Sequence, residues 1–388
     1  MPGPDNTILV TGARAPVALH LARLLHGAGR RVILADSPAR PIAAASTACA
    51  RYRRLPPPRF EPAAYAEAVE ALVRAESIDL VIPTCEEVFY LALAWRERAI
   101  PARLFAPGIE LLAQVHDKHA FVRLAESLGL AVPETTLLQS AADLDAVRSH
   151  SRDLVFKPVW SRFASQVLLR PLPGALDAIS PSPAAPWVAQ RFVPGNEISA
   201  YAVARDGALK AFSLYRSLYR AGKGASIYFE PVEDPAARHL VERIVAATGW
   251  SGQISFDLMR EADGRVLPLE CNPRAVSGLH FFRDPLRFAD ALLGTGAEVR
   301  PPDVATPQTV RLAMWIYGLP AALRSGGLRG FRHAMREADD LLDWPDDPAP
   351  KKAQWRALAE IAGLAWRERI SLQAASTRDM EWNGPLQT

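Results

Sequence analysis

Along the first hundred residues, short apolar runs alternate with segments in which apolar residues recur at the spacing of a helix. Residues 8–10 form an apolar run that stops at Thr11-Gly12, and apolar positions then recur at helical spacing over residues 17–25. Two further apolar runs, residues 32–34 and residues 80–82, end at Asp36 and Pro83. Unbroken apolar runs separated by helices are typical of buried parallel strands. Residues 1–112 are therefore predicted to form a doubly wound α/β domain.

The pattern changes after this region. Residues 117–129 have helical spacing with a terminal glycine, and residues 154–282 read as short alternating strands with one helix near residues 236–248. This portion is predicted to be α+β with antiparallel sheets. The proline-rich residues 300–303 read as a linker, and helical pieces follow up to the C-terminus.

The strongest local pattern lies in residues 253–274. Apolar residues alternate on both sides of Asp263-Gly264, a pair that is characteristic of a β-hairpin turn. With these two residues at the centre of the turn, Asp257 lies directly opposite Glu270, and a four-residue turn would shift the pairing by two and still leave both carboxylates on one face. Asn272 is two residues further along and shares the face of Glu270.

Two carboxylates that face each other across a hairpin, with Cβ atoms about 5 Å apart, repel one another unless a positive charge lies between them. Asp257, Glu270 and Asn272 together offer the oxygen ligands that Mg²⁺ prefers, with substrate phosphates completing the shell. The alternative is a solvated face on which Arg274 neutralises a carboxylate. The spacing alone leaves both alternatives open.

Composition excludes several classes of protein. The chain has 388 residues, 49% hydrophobic and 22% charged, with a net charge of +3 and no basic block, which does not favour nucleic-acid binding. No apolar stretch is long enough to cross a bilayer, and no signal peptide is evident, so we expect a cytoplasmic protein. Cys49, Cys85 and Cys271 are too few and too scattered for a disulfide framework.

Lysine is rare in this chain, so a lysine beside an apolar segment is informative. Only six of the 45 basic residues are lysines. Lys157 ends the apolar run of residues 154–156, and Lys118 lies near the start of the preceding helix. A lysine in a cleft offers a compact charge to a phosphate. Taken singly, either residue is better interpreted as an ordinary surface lysine.

Two phosphate-binding motifs are absent. Ala13, Arg14 and Ala15 stand where a dinucleotide-binding turn would place further glycines, although Asp36 at the end of the second strand keeps a dehydrogenase alternative open. The pair at residues 222–223 is followed by glycine instead of Ser or Thr, which excludes a P-loop.

Taken in order, several short segments resemble the ATP-grasp superfamily, especially its carbamoyl-phosphate-synthetase-like members and its amino acid and peptide ligases. The resemblance extends over residues 7–295. It implies a pre-ATP-grasp domain at residues 1–112 and an ATP-grasp domain at residues 113–299. The latter divides into a nucleotide-binding subdomain (residues 113–195) and a metal-binding subdomain (residues 196–299), and residues 300–388 form a small mixed C-terminal region. The segments that carry the resemblance are Asp117-Lys118, residues 128–133, 156–158 and 190–197, and Asp257 with residues 270–274.

The resemblance also implies roles for individual residues, with ATP and Mg²⁺ as cofactors. Phosphoryl transfer requires in-line positioning and neutralisation of charge, which lysine, arginine and magnesium supply. The implied roles are phosphate contacts for Lys118 and Lys157, an adenine hinge at Gln190, Arg191, Phe192 and Val193, ribose binding by Glu197, Mg²⁺ ligation by Asp257, Glu270 and Asn272, and catalysis by Arg274 and Lys157.

The chain departs from the family pattern at two places. The glycine-rich loop that family members commonly carry after the second lysine is replaced by residues 160–166, and we expect Arg162 and the neighbouring serines to take over part of its role. Gln190 stands where many relatives have a glutamate.

The resemblance favours an ATP-dependent carboxylate–amine ligase that acts on two small molecules and releases ADP and phosphate. One alternative is a carboxylase that forms carboxyphosphate, and another is a nucleotide-binding regulatory protein without turnover. Arg216, Arg220 and Lys223 are candidate ligands for an anionic substrate, or else a solvated basic loop. We expect no nucleic-acid or membrane partner, and a homodimer if the chain assembles.

Overall fold

The computed structural model describes residues 6–160, 166–221, 225–294, 296 and 299–384. Its first sheet has the order β3-β2-β1-β4-β5, and all of its strand pairs are parallel. This confirms the predicted doubly wound α/β region. Its elements are β1 (Thr7–Thr11), α1 (Pro16–Gly27), β2 (Arg31–Asp36), β3 (Arg51–Arg54), α2 (Pro62–Glu76), β4 (Leu80–Ile82), α3 (Glu87–Glu97), β5 (Arg103–Leu104) and α4 (Ile109–His116).

The three inner strands of this sheet, β2, β1 and β4, are covered on both faces. Ile8 and Val10 of β1 pack into one core, and Leu9 between them packs into another. Because successive side chains of a strand point to opposite faces, an unbroken apolar run fits only a strand that is buried on both sides. The strand order reverses at β1: β2 and β3 are added on one side of it, and β4 and β5 on the other. The loops after β1 and β4 therefore open a crevice at the carboxyl edge of the sheet.

A four-stranded antiparallel sheet follows, with the order β6-β9-β7-β8 and a small core of its own. Its elements are α5 (Lys118–Ser127), β6 (Thr135–Leu138), α6 (Ala141–Arg148), β7 (Leu154–Pro158), β8 (Leu168–Leu169) and β9 (Trp187–Arg191).

The third sheet has seven strands in the order β14-β13-β10-β11-β12-β15-β16. Its neighbouring strands are antiparallel except for β15 and β16. The last two strands come from the region after residue 300 and extend one edge of the sheet. The elements are β10 (Asn196–Arg205), β11 (Ala208–Ala221), β12 (Ala225–Val232), α7 (Pro235–Thr248), β13 (Gly252–Arg260), β14 (Val266–Asn272), α8 (Pro285–Leu293), β15 (Gln308–Thr309) and β16 (Asp339–Asp340).

The rest of the C-terminal region is helical. After the last helix, residues 376–384 return to the first domain, where the Trp382 ring stacks on Phe89 at 5.2 Å between centroids. No helix within the described part of the chain is long and apolar enough to span a bilayer. The helices are α9 (Arg311–Ala313), which continues through a π-helical turn (Met314–Gly318) into α10 (Leu319–Ser325), followed by α11 (Leu328–Glu337), α12 (Ala349–Glu368) and α13 (Leu372–Ala375).

The β13–β14 hairpin confirms the predicted pairing of Asp257 with Glu270 but corrects the predicted turn. Near the turn, Arg260 pairs with Val266, one residue away from the register of a two-residue turn. A bulge beside Asp257 restores the register, so that the two carboxylates still face each other. The residues on the opposite strand there include Pro268, which has no N–H for the ladder and is typical of a bulge.

Candidate active site

One cleft, with a volume of about 620 Å³, is lined by the second and third sheets, by residues that follow β1 and β4 of the first sheet, and by the C-terminal region. A cavity of this size is in the range of small-molecule sites. The middle of the cleft is formed by the β13–β14 hairpin and two lysines, and one end by β7, β8 and β9. The opposite end is formed by the loops after β1 and β4 together with residues from the C-terminal region.

The paired carboxylates lie at the centre of this cleft. Ser199 Oγ donates to Asp257 Oδ1 at 2.8 Å, and Asn272 Nδ2 lies 3.5 Å from Asp257 Oδ2. Burial, followed by the charge of Glu270, raises the pKa of Asp257. Burial acts in the same direction on Glu270, but nearby ammonium charges outweigh it and hold the pKa of Glu270 below its usual range.

Those ammonium groups belong to Lys118 and Lys157, and both side chains are buried. Lys118 Nζ lies 3.7 Å from Glu270 Oε2. Lys157 Nζ lies 3.5 Å from Leu269 O, and burial lowers the pKa of Lys157 to about 8. The ordinary surface position that the sequence left open for each lysine is therefore wrong.

The position of Lys118 on its helix supports a functional role. It is the first residue of α5, directly after Asp117, whose side chain caps the helix by accepting from His119 N and Ala120 N. A cation in the first helical turn is disfavoured by the helix dipole. A buried lysine at this place is better explained by an anionic partner in the cleft than by helix stability.

The residues at the centre fit a magnesium–nucleotide site. Asp257, Glu270 and Asn272 provide two carboxylates and an amide on one rigid sheet face, which is a hard-oxygen donor set. Among the described residues, no group of three or more His, Cys, Asp or Glu side chains is placed to hold a metal. The donor set is thus short of a full protein cage, and Mg²⁺ characteristically completes such a set with phosphate oxygens and water.

Arg274 lies beside these residues and also lines the cleft. Its guanidinium donates to Ala275 O at 3.2 Å and to Asn272 Oδ1 at 3.4 Å. Within the described part of the chain no carboxylate lies within 4.0 Å of it, so the alternative in which Arg274 neutralises Asp257 or Glu270 is wrong.

The predicted hinge forms one end of the cleft. Residues 190–193 and Glu197 line the cavity together with apolar side chains of β7, β8 and the hairpin. Gln190 Nε2 donates to Thr135 Oγ1 at 3.0 Å, which anchors the side chain that replaces the glutamate of many relatives. Arg191 N and Phe192 N donate to backbone carbonyls at 2.8 Å, so the hinge backbone is held in place. An apolar slot with a carboxylate at its edge can receive a base and its ribose.

The structure separates the three candidate anion-binding residues. Arg220 lines the cleft, and its Nη2 lies 2.6 Å from Glu197 Oε1. Arg216 instead pairs with Glu230 at 2.7 Å and is not among the described residues that line the cleft. Lys223 and the loop candidate Arg162 lie outside the described residues.

Sequence reasoning missed the opposite end of the cleft. Arg14, which follows β1, pairs with Asp36 at 2.6 Å and with Asp379 at 2.6 Å. Asp36 also accepts from the Arg14 backbone N at 2.8 Å. The carboxylate that kept a dehydrogenase alternative open is therefore already saturated by protein donors, and this alternative is wrong. No local pattern near residue 379 could have shown the contact.

Comparison with known proteins bears on the fold of the chain. No family model matches the chain. The N5-carboxyaminoimidazole ribonucleotide synthase of Pseudomonas aeruginosa is 26% identical over 243 residues, which is 58% of this chain and 66% of the relative, just under two thirds of its length.

Two solved structures share the fold. The N5-carboxyaminoimidazole synthetase of Staphylococcus aureus complexed with ADP has a TM-score of 0.61 and 13% identity, with 78% of this chain and 80% of that chain covered. The L-amino acid ligase of Bacillus licheniformis has a TM-score of 0.58 and 18% identity, with 77% and 78% covered. At these identities the likeness establishes the fold.

Proposed function

This chain has the ATP-grasp fold, and on that premise we propose that it is an ATP-dependent carboxylate–amine ligase. It activates a small-molecule carboxylate as an acyl phosphate, and an amine then displaces phosphate to give an amide, with release of ADP and phosphate. One observation carries the proposal: Asp257 and Glu270 face each other in a cleft that also holds the buried Lys118 and Lys157.

The charges at this centre suit phosphoryl transfer. The ammonium groups of Lys118 and Lys157 bind phosphate oxygens, and in a water-poor cleft such contacts are stronger than at the surface. Asp257, Glu270 and Asn272 hold Mg²⁺, which when bound offsets the negative charge of the phosphates. Arg274 lies next to Asn272 and steadies the transferred phosphoryl group or the acyl phosphate.

The hinge end of the cleft receives the nucleoside. Backbone groups of residues 190–193 contact the adenine, and Glu197 accepts hydrogen bonds from the ribose hydroxyls. Arg220 holds Glu197 at the mouth of the slot and is available to an anionic group of the ligand. We also propose the domain division at residues 112 and 299, with the later region contributing β15 and β16 to the large sheet.

A second candidate is a carboxylase that forms carboxyphosphate from bicarbonate. The observation that favours it is the similarity to the N5-carboxyaminoimidazole ribonucleotide synthase, an enzyme named for a carboxyamino product. Both candidates use the same phosphoryl-transfer centre. They differ only in the carboxylate that is activated. A regulatory protein without turnover is less consistent with the structure, because it would not require the opposed carboxylates beside the two lysines.

Phosphate release from MgATP distinguishes these functions. We expect release with a mixed pool of small carboxylates and amines, and none with either pool alone. Release that needs bicarbonate and an amine would favour the carboxylase. Binding of MgATP without release under any condition would favour the regulatory protein, and absence of MgATP binding in calorimetry would contradict all three. Glu242→Gln, which removes an exposed carboxylate of α7 paired with Arg238, is the matched control for carboxylate variants of the site.

A further inference from the structure

The end of the cleft opposite the nucleotide hinge lies where the first sheet reverses its strand order. In open α/β sheets, ligands bind outside the carboxyl ends of the strands at this reversal point. Here the reversal falls between β1 and β4, and the loops that follow them contribute Arg14, Ala15, Thr84 and Cys85 to the cavity wall. This end is thus placed to receive a second ligand, next to the phosphoryl-transfer centre.

The remaining wall of this end comes from the extreme C-terminal part of the chain. Residues 376–382, which we call the strap, contribute Ser376, Thr377 and Met380 to the cavity. Several contacts fix the strap to the first domain: Asp379 pairs with Arg14, and Glu381 pairs with Arg59 at 2.9 Å.

The end of the strap is anchored most deeply. Trp382 N donates to Glu86 Oε2 at 3.0 Å, and the Trp382 ring stacks on Phe89 and is almost completely buried. Tyr90 Oη donates to Glu381 O at 2.7 Å. These contacts make the strap a built part of the cavity wall and not a loose chain end.

The charges at this end are already compensated by the protein. Arg14 binds Asp36 and Asp379 and also donates to Ser37 Oγ and Ser376 O. Its guanidinium is therefore not available to a ligand. Of the described residues that line this end, Arg274 is the cation without a carboxylate within 4.0 Å. A single guanidinium matches one carboxylate of a substrate.

Apolar side chains form another part of the wall. Met380 of the strap, Ile361 of α12, Val17 of α1 and Val276 line the same cavity as Arg14 and Arg274. Apolar side chains favour a ligand with an apolar substituent. A phosphorylated ligand would lose its hydration without gaining a second cation, and it would lie close to the carboxylates that hold Arg14.

We propose that the strap is the specificity wall of the second subsite, and that this subsite takes a carboxylate with an apolar substituent in preference to a phosphorylated one. The carboxylate lies against Arg274 and the apolar substituent lies against Met380 and Ile361. This inference rests on the proposed ligase function and names its substrate class. It separates the chain from the relative that is named for a ribonucleotide.

Calorimetry with the full-length protein tests the inference. The protein is first saturated with Mg²⁺ and a non-hydrolysable ATP analogue, and L-leucine, L-phenylalanine and O-phospho-L-serine are then titrated separately. We expect the two apolar amino acids to bind at least tenfold more tightly than O-phospho-L-serine. Equal or tighter binding of O-phospho-L-serine overturns the inference.

Variants locate the effect at the strap. Met380→Asp is expected to weaken L-leucine binding at least tenfold without changing the affinity for the ATP analogue, and Met380→Leu is expected to retain binding. Arg378→Ala is the control, because this strap residue pairs with Glu368 and lies over the Phe60 ring and does not line the cavity. If Met380→Asp lowers the melting temperature, Ile361→Asp at a half-buried position tests the same wall.

The two proposals fail in different ways. Normal analogue binding with no binding of either apolar amino acid, or with Met380→Asp and Ile361→Asp both binding L-leucine normally, overturns the substrate class and leaves the ligase function standing. Absence of analogue binding contradicts the ligase function and removes the basis of the inference with it.

Discussion

The strap end of the cleft and the phosphoryl-transfer centre beside it differ in how their buried charges are paired. At the strap end, the Arg14 guanidinium lies 2.6 Å from each of two carboxylates, Asp36 and Asp379, and its donors are used within the protein. At the phosphoryl-transfer centre, Asp257 faces another carboxylate, and the ammonium of Lys118 lies 3.7 Å from Glu270. The buried charges at the strap end are paired within the protein, whereas at the centre two carboxylates face each other and the ion pair with Lys118 belongs to Glu270.

This difference separates a structural cluster from a binding site. A buried charge is costly unless it is paired, so a compensated cluster such as that of Arg14 contributes to the fold. Like charges that a rigid hairpin holds together store unfavourable energy, which a ligand of the right charge releases. Removing a group from the strap end should therefore mainly lower stability, and removing one from the phosphoryl-transfer centre should mainly lower activity.

The largest effect is expected from Asp36→Asn. This change leaves the buried Arg14 charge without its most buried partner, and loss of one member of such a pair costs about 3–5 kcal/mol of unfolding free energy. Urea denaturation measures the loss, with Glu242→Gln as the exposed control. A loss below about 1 kcal/mol would show that the strap end is not a stabilising cluster.

Glu270→Gln should produce the reverse result. Removal of a charge that acts on the transferred phosphoryl group is expected to lower the rate of phosphate release by about 10²–10³-fold, or roughly 2.7–4 kcal/mol. Stability should fall less than in Asp36→Asn, because the change leaves the buried Lys118 ammonium without its carboxylate partner but also relieves the repulsion of Asp257. Steady-state phosphate release and thermal melting measure the two quantities. A variant that is strongly destabilised but fully active would show that Glu270 belongs to a structural cluster and not to the phosphoryl-transfer centre.

The pH dependence of nucleotide affinity sharpens the comparison. Because burial lowers the pKa of Lys157 to about 8, this residue is charged at pH 7 and loses its charge as the pH rises through 8. Affinity for a magnesium-bound ATP analogue should therefore weaken above pH 8, by about tenfold at pH 9. Lys157→Arg keeps its charge throughout this range and should show a flat profile. Identical profiles for the two proteins would remove Lys157 from the phosphate contacts.

The smallest effect is expected from Arg220→Ala. The pair of Arg220 with Glu197 is partly exposed, and such pairs contribute about 0.2–1 kcal/mol to stability. Urea denaturation of this variant should therefore resemble that of Arg238→Ala, which breaks an exposed pair with Glu242 on α7. A larger loss for Arg220→Ala would place this pair with the compensated cluster of Arg14.

The phosphoryl-transfer centre was largely predictable because its signals are local. Alternating apolar positions determine which face of a strand is buried, so Asp257, Glu270 and Asn272 had to share a face once the hairpin formed. The turn itself was predicted wrongly, since an Asp-Gly pair indicates a tight turn but does not show the bulge near Pro268. The buried state of Lys118 and Lys157 was left open, because a lysine at the end of an apolar run fits both the surface and a cleft.

The sequence by itself determined the parallel first sheet, the antiparallel hairpin and the facing carboxylates, because strand and helix periodicities follow from backbone geometry over a few residues. Only the tertiary structure decided that Arg14 meets Asp379, 365 positions away, and that Met380 lines the same cleft as Arg274. Such contacts depend on how whole elements pack against one another, and neighbouring residues in the chain carry no pattern that records them.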